Sequence, residues 1–167
     1  MTGAASLALD GATLRKAFSC FPSGVTAVCG MVEGEPVGMA ASSFTSVSLE
    51  PPLVLVCVSN SSRTWQSLRS VSRLGVSILS AEHDQACRQL AARDGERFAA
   101  IEWSATAEGA VVLAGATAWL ECEVEQEVVA GDHLIVVLRI HTLEADPTVH
   151  PLVFHASIFK RFSLEAT

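Results

Sequence analysis

Gly38-Met39-Ala40-Ala41-Ser42-Ser43-Phe44-Thr45-Ser46-Val47-Ser48-Leu49-Glu50-Pro51-Pro52 is too rich in hydroxyls for a plain core strand and too apolar for a loop. Five of its fifteen residues carry a hydroxyl (Ser42, Ser43, Thr45, Ser46 and Ser48), while Met39, Phe44, Val47 and Leu49 are candidates to face a core. Hydroxyls donate and accept without charge or bulk, so such a run can line a polar, planar or phosphorylated ligand. Composition alone leaves a second reading level with it, a strand with a polar outer face and a tight exit. Pro51-Pro52 closes the run because neither residue can donate to a sheet ladder, and a new strand is predicted from Leu53.

Outward from this stretch, the punctuation is that of hairpin-linked strands. Val25–Val32 is a β-branched run, Glu33-Gly34-Glu35 reads as a turn, and Val37–Phe44 returns as the second arm. Leu53–Val58 is six apolar residues in succession, which predicts a strand buried on both faces. Ser59–Arg63 is a polar turn and Thr64–Val71 a short helix. Arg73–Leu79 is the next strand, and Ser80 is placed to cap a helix through Leu90. Toward the N-terminus, Leu7 to Phe21 predicts a helix with Leu7, Leu14, Ala17, Phe18 and Phe21 on one side, Asp10 as its N-cap, and Pro22-Ser23-Gly24 as its stop. Toward the C-terminus, Asp94–Arg97 is a polar connection and Trp103–Val112 shows little pattern. Ala116–Val128 and His133–Leu143 predict a long hairpin turning at Ala130-Gly131-Asp132. Asp146-Pro147 breaks the chain, and Leu152–Phe162 ends it as one or two short strands. About six or seven strands with two or three short helices predict a mainly β, closed or partly open antiparallel barrel in one domain, 1–167.

The apolar share is 50% and the charged share 17%, against roughly 25% charged in an average soluble domain. No apolar run approaches the ~18 residues a membrane span needs, so no membrane partner is expected. The surplus predicts a subunit interface instead, and hence a homodimer. The net charge is −7 and the only basic clusters are the pairs Arg15-Lys16 and Lys160-Arg161. That excludes a nucleic-acid partner, which needs a cationic footprint. The N-terminus lacks a secretory design. The five cysteines are odd in number, widely spaced and without a Cys-x-x-Cys pair; they predict free thiols in a reducing cytoplasm, not a disulfide frame or a zinc site, and no metal.

Phe21-Pro22-Ser23-Gly24-Val25, then Gly38–Pro52 running into Leu53-Val54-Leu55-Val56-Cys57-Val58, then Ala116–Cys122, then Gly131-Asp132-His133 form an ordered set of four segments. In that order the chain resembles the flavin reductase-like family, the NAD(P)H:flavin oxidoreductase components of two-component flavin-dependent monooxygenases, from about Leu14 to Phe162. The resemblance implies a split β-barrel (an FMN-binding split barrel) with short flanking helices. It implies a homodimer with each flavin near the subunit boundary, FMN or FAD as cofactor, NADH or NADPH as co-substrate, and a separate monooxygenase receiving reduced flavin. By the same resemblance Met39, Ala40, Ala41, Ser42 and Ser43 run along the isoalloxazine edge toward the ribityl chain, with Ser46 and Ser48 as further neighbours. Cys57, Val58, Ser59 and Asn60 continue the pocket, and Ser61, Arg63 and Thr64 meet the phosphate. Hydroxyls and a guanidinium suit a phosphate monoester; the alternative for Arg63 is a solvated surface arginine. His133 approaches the nicotinamide, or else caps the hairpin, while Asp132 suits the turn backbone. Phe98 is either a cleft aromatic or a core residue, and Pro22 and Ser23 are secondary cleft candidates.

The chain also departs from the family pattern. Relatives often have Thr where Ala40 stands and Asn where Ser42 stands, which bears on flavin affinity. Phe154-His155-Ala156-Ser157-Ile158-Phe159 lacks the glycine the family tends to carry between two aromatic positions, so His155 either substitutes in closing the nicotinamide site or reductase activity is weakened. The expected reaction is NAD(P)H-dependent reduction of FMN or FAD, with a flavin carrier or sensor as the alternative. A pyridoxamine-phosphate oxidase type or a haem-binding split barrel fits the Ser-Phe-Thr-Ser-Val-Ser run and Gly-Asp-His less well. There is no Gly-x-Gly-x-x-Gly, so nicotinamide binding would not use a Rossmann site.

Overall fold

The structure is a computed structural model and describes residues 9–161. The elements in chain order are α1 (Gly11–Phe18), β1 (Ser23–Gly24), β2 (Thr26–Val32), β3 (Glu35–Ala41), β4 (Thr45–Leu49), β5 (Pro52–Ser59), α2 (Arg63–Leu68) and β6 (Leu74–Ile78). A single 3-10 turn, Ala81–His83, leads into α3 (Asp84–Ala91), followed by β7 (Trp103–Ala105), β8 (Val111–Leu113), β9 (Ala118–Ala130), β10 (His133–Ala145), β11 (Leu152–His155) and β12 (Ile158–Arg161). Seven strands form one antiparallel sheet in the order β3-β2-β6-β9-β10-β5-β4.

In that sheet β3 and β4 lie on opposite edges, yet only Ser42-Ser43-Phe44 joins them. So short a link forces the sheet to curl until its edges meet. At the seam the Ser43 hydroxyl accepts from the Cys57 N–H at 2.8 Å and donates to the Cys57 carbonyl at 3.1 Å. The β4–β5 register pairs Thr45 with Leu55, so two residues back Ser43 falls opposite Cys57. One side chain thus makes both bonds that a paired backbone residue would make. The result is a split β-barrel.

The inside of the barrel is filled by Val28, Val54, Val56, Val58, Val76, Leu120, Val136 and Leu138, with Trp65 and Leu68 of α2 packed against them. Alternation along β2 sends Ala27 and Cys29 the other way, into a second cluster with Leu79, Leu90, Val111, Leu113 and Leu152. β2 and its neighbour β6 are therefore buried on both faces. Gly75 permits this second layer, since a side chain there would collide with the Val111 carbonyl, and the Ser77 hydroxyl accepts from the Leu113 N–H at 3.0 Å.

Several sequence expectations change in the structure. β5 is not buried on both faces: Val54, Val56 and Val58 face the barrel, while Leu53, Leu55 and Cys57 point outward and stay half-buried. An unbroken apolar run looks the same whether its outer face meets the same chain or another. The N-terminal helix covers Gly11–Phe18, with Asp10 as its N-cap, accepting from the Thr13 N–H at 2.8 Å. None of its residues is buried: Leu14 of the predicted apolar side is half-buried, while Phe18 is 68% and Phe21 77% exposed; Leu7 lies outside the described residues, as does Phe162 at the other end. Met39 and Phe44 pack against the barrel core, whereas Val47 and Leu49 do not and are 47% and 95% exposed. Trp103–Val112 contains most of a small β7–β8 ladder, too short to print a period.

All five cysteines are free. Burial pushes the thiols of Cys29 and Cys122 up to about 12 and that of Cys87 up to about 11, so these three are held as neutral core residues. Among the described residues no helix is long and apolar enough to cross a membrane, and no group of three or more His, Cys, Asp or Glu side chains is gathered to hold a metal.

Ser43→Ala leaves the N–H and carbonyl of Cys57 without their partner at the barrel seam. The expected cost is about 2–4 kcal/mol, a melting temperature lower by roughly 5–15 °C. Ser46→Ala, on the exposed edge strand, should stay within about 0.5 kcal/mol. Thermal denaturation of both variants checks this; equal melting temperatures would mean the seam does not depend on the hydroxyl.

Candidate active site

Barrel closure lays the end of β3 beside the end of β5, and a cleft of about 450 Å³ opens there. Met39, Ala40, Ala41, Ser42 and Ser43 form one wall, and Cys57, Val58 and Ser59 continue it. β3 pairs with β2 along one side only, and an edge strand presents unpaired backbone groups on the other. Ser62 and Thr64, around the start of α2, and Leu90 and Ala91, at the end of α3, add further lining, as do Arg97 and His133. Ser62 caps α2, its hydroxyl accepting from the Trp65 N–H at 3.1 Å.

The structure thus brings together ten of the residues named from the sequence: Met39, Ala40, Ala41, Ser42, Ser43, Cys57, Val58, Ser59, Thr64 and His133. The others stand elsewhere. Ser46 and Ser48 lie on the edge strand β4. Asn60 supports the β9–β10 turn, its backbone N–H donating to the Asp132 carbonyl at 3.0 Å and its side-chain amide to the Gly131 carbonyl at 3.1 Å. Ser61 is exposed with its hydroxyl 2.9 Å from that of Ser59, and Arg63 is exposed on the first turn of α2. Phe98 packs edge-on to Trp103, with ring centroids 6.3 Å apart, and closes over Gly38, where a side chain would crowd it and Cys29. His155 belongs to the β11–β12 hairpin and lies 3.2 Å from the Lys160 ammonium.

Four lining residues were not singled out from the sequence: Ser62, Leu90, Ala91 and Arg97; Phe98, beside Arg97, was named, and Arg97 is the charged one among the four. It enters from the segment after α3, and its Nη1 donates to the Gly38 carbonyl at 3.0 Å and the Thr64 hydroxyl at 2.6 Å. Nothing in a lone Glu-Arg-Phe announces this, because the contacts cross from the 94–97 connection to β3 and α2. His133 sits opposite Ser59 on β5, which aims its ring at the same rim, and its Nδ1 lies 2.8 Å from a carboxylate oxygen of Asp132.

The charge pattern separates this cleft from other depressions. Its lining contains no Asp or Glu, although the chain carries 18 of them. Depressions of about 830 and 600 Å³ hold Glu82 with Glu102 and Glu35 with Glu96, the second sharing Arg97 with the cleft, and one of about 170 Å³ holds Glu144 with Asp146. In the 830 Å³ depression, several polar groups pair with one another. The His83 ring accepts from the Ser80 N–H at 3.1 Å and meets the Ala114 carbonyl at 2.9 Å, and Glu82 pairs with Arg161 at 3.1 Å. The β3–β5 cleft instead offers donors, hydroxyls and one guanidinium, an environment for an electron-rich, anionic ligand.

Comparison with known proteins was made against this geometry. Residues 18–163 match the family described as Flavin reductase like domain. A probable flavin reductase of Rhizobium meliloti (strain 1021) is 39% identical over 81% of this chain and 44% of its own length. The chain therefore spans less than half of that protein. The reductase subunit HsaB of a flavin-dependent monooxygenase of Rhodococcus jostii (strain RHA1) is 34% identical over 90% of this chain and 77% of its own. Among solved structures, the Streptomyces globisporus C-1027 NADH:FAD oxidoreductase SgcE6, in complex with NAD and FAD fragments, superposes with a TM-score of 0.88 at 38% identity, covering 95% of this chain and 96% of that one.

The Asp132–His133 contact has a titration signature. The hydrogen bond from His133, and then its charge, hold the Asp132 carboxyl below its ordinary 3.8. A depressed folded-state value means the contact's contribution is present above 3.8 and lost as pH falls through the folded value. Carboxyl-carbon NMR should place the Asp132 midpoint below 3.8 in the wild type and return it to about 3.8–3.9 in His133→Ala. An unmoved midpoint would dissolve the pair.

Proposed function

The chain belongs to the flavin reductase-like family, and from that premise we propose that it reduces FMN or FAD with NADH or NADPH in the β3–β5 cleft, supplying reduced flavin to a separate monooxygenase component. The carboxylate-free, donor-lined cleft is the observation that carries this reading, since a reduced flavin is electron-rich and both substrates are anionic. NADH and FAD are favoured by the Streptomyces relative, an NADH:FAD oxidoreductase by name.

When both are bound, the nicotinamide supplies a hydride and the flavin takes it, so the protein needs no nucleophile. Its work is to bind, orient and exclude water. The free edge of β3, residues 39–41, supplies backbone groups to the flavin rim, and the hydroxyls of Ser42, Ser59, Ser62 and Thr64 supply further donors and acceptors. Ser43 acts through the seam: with its hydroxyl engaged on Cys57, it positions the wall. His133 projects from the start of β10 and is placed to donate to the nicotinamide side of the pair.

The protein works as a homodimer, and the outer face of β5 and β10 is its interface. Leu55 and Cys57 lie directly opposite Val137 and Ile135 on that face, with Leu53 opposite Arg139, and the five apolar side chains are half-buried in the protomer. The cleft adjoins it through Cys57, Ser59 and His133, which supports a flavin site beside the subunit boundary. Free thiols suit a cytoplasmic location.

Mixing the protein with FAD or FMN and following NADH and NADPH oxidation tests the activity directly; flavin binding without turnover would leave a carrier. His133→Ala should lower kcat/KM for the nicotinamide by roughly five- to hundred-fold while flavin affinity stays level. Unaltered nicotinamide kinetics would remove His133 from the site. Sedimentation should show a dimer at micromolar concentration that Ile135→Glu dissociates, and a wild type monomeric across that range would refute the interface.

A further inference from the structure

We propose that α1 and the outer face of the β11–β12 hairpin form a docking surface for a protein segment that carries acids and aromatic rings. Its identity rests on the flavin reading above: the protein presenting that segment is the oxygenase that receives reduced flavin.

Two segments distant in the chain make this surface. The Ala156 N–H donates to the Ser19 carbonyl at 2.9 Å, and Ser23 pairs with Phe154. The end of α1 and the residues after it therefore run beside the hairpin, with Phe21 between the two contacts. Within the hairpin, Phe154 lies opposite Phe159 and His155 opposite Ile158. Strand alternation sends Phe154 and Phe159 inward, onto the second core cluster, and turns Ile158 and Lys160 outward together. Phe18, Phe21 and Ile158 are left exposed, and a grouped apolar surface of this kind marks a contact site.

Charge is sorted around that apolar centre. Residues 11–32 and 147–161 contain none of the chain's 18 acidic residues, yet they carry both of its lysines, Lys16 and Lys160, together with Arg15. Among the described residues these three meet no carboxylate, whereas Arg69, Arg73, Arg139 and Arg161 each have one. An acidic partner is repelled by the chain as a whole, with its net charge of −7, and drawn to this face. A second copy fits poorly, because a two-fold contact through the face would set Lys16 and Lys160 against their own counterparts. An anionic membrane would meet the same three cations but repel the rest of the chain. The face also adjoins the cleft: Phe154 and Phe159 share a cluster with Ala40 and Leu90, both of which line it. A protein seated there stands beside the site from which reduced flavin leaves.

Three probes test this on the full chain: the random copolymer poly(Glu,Tyr), which joins acids to aromatic rings, poly-Glu, which has the acids alone, and phosphatidylserine vesicles. The wild type should bind labelled poly(Glu,Tyr) more tightly than poly-Glu, and about tenfold more weakly at about 0.5 M than at about 0.05 M salt. The double variants Lys16→Glu with Lys160→Glu, and Phe18→Ser with Ile158→Ser, should each weaken that binding by about tenfold or more, while turnover of NADH with flavin stays level. A wild type that binds neither polymer, or double variants that bind as the wild type does, would overturn the proposal. Equal affinity for the two polymers would reduce the face to a charged surface and overturn it too. So would vesicle binding that exceeds polymer binding and is lost in the same variants, or a change of oligomeric state in either variant, which would assign the face to a membrane or to a second copy. If the apolar pair fails to fold, the lysine pair decides by itself: a tenfold loss supports the docking surface and no loss overturns it. Absence of flavin turnover in the wild type would overturn the flavin reading, and with it the partner's identity, in an assay separate from the polymer titrations.

Discussion

The hydroxyl of Ser43, bonded to both the N–H and the carbonyl of Cys57, is where the sheet becomes a barrel. β3 and β4 are neighbours in sequence but opposite edges in space, and the three-residue link between them keeps those edges together. Everything the cleft needs follows from that seam. It sets the free edge of β3 next to the end of β5, brings Ser59 beside His133 across the β5–β10 ladder, and places the start of α2 beneath both. A backbone pair at the same point would close the barrel too, but the hydroxyl lets the chain change direction there, and the change of direction makes the hollow.

Electrostatics then select what the hollow accepts. The acids of β9 are engaged: Glu127 takes the Trp65 indole N–H at 2.7 Å and the Arg69 guanidinium, and Glu125 takes Arg139. Glu127 thereby fastens α2, which bears Thr64, to the same hairpin that bears His133. Acidic groups are used as fasteners around the cleft and are kept out of its lining, so the overall negative charge does not oppose an anionic ligand at close range, where unscreened interactions count most.

The outer face of β5 and β10 belongs to the same economy of surfaces. A strand alternates its side chains, and the barrel interior takes only every second one. Leu53, Leu55 and Cys57 are left over on β5, and Ile135 and Val137 on β10. They stay half-buried and lie beside the cleft through Cys57, which is why this face was proposed above as the dimer interface.

Local chemistry was enough to read much of this from the sequence. Asp10 as a cap, Glu33-Gly34 and Gly131-Asp132 as turns, and the long β9–β10 hairpin each depend on neighbouring residues and stand as expected. That Met39–Ser43 and Cys57–Ser59 line one cleft was legible because hydroxyls in an apolar run are anomalous wherever they fall. What the sequence could not determine were matters of which face and which neighbour. Whether the outer side of Leu53–Val58 is covered, whether Phe98 fills the core or the cleft, and whether Arg63 or Arg97 meets the cleft all depend on contacts between segments far apart in the chain. Arg97 is 59 residues from Gly38 and 33 from Thr64; no spacing or period encodes such a meeting. Only the curl of the sheet, imposed by the link at Ser43, brings them together.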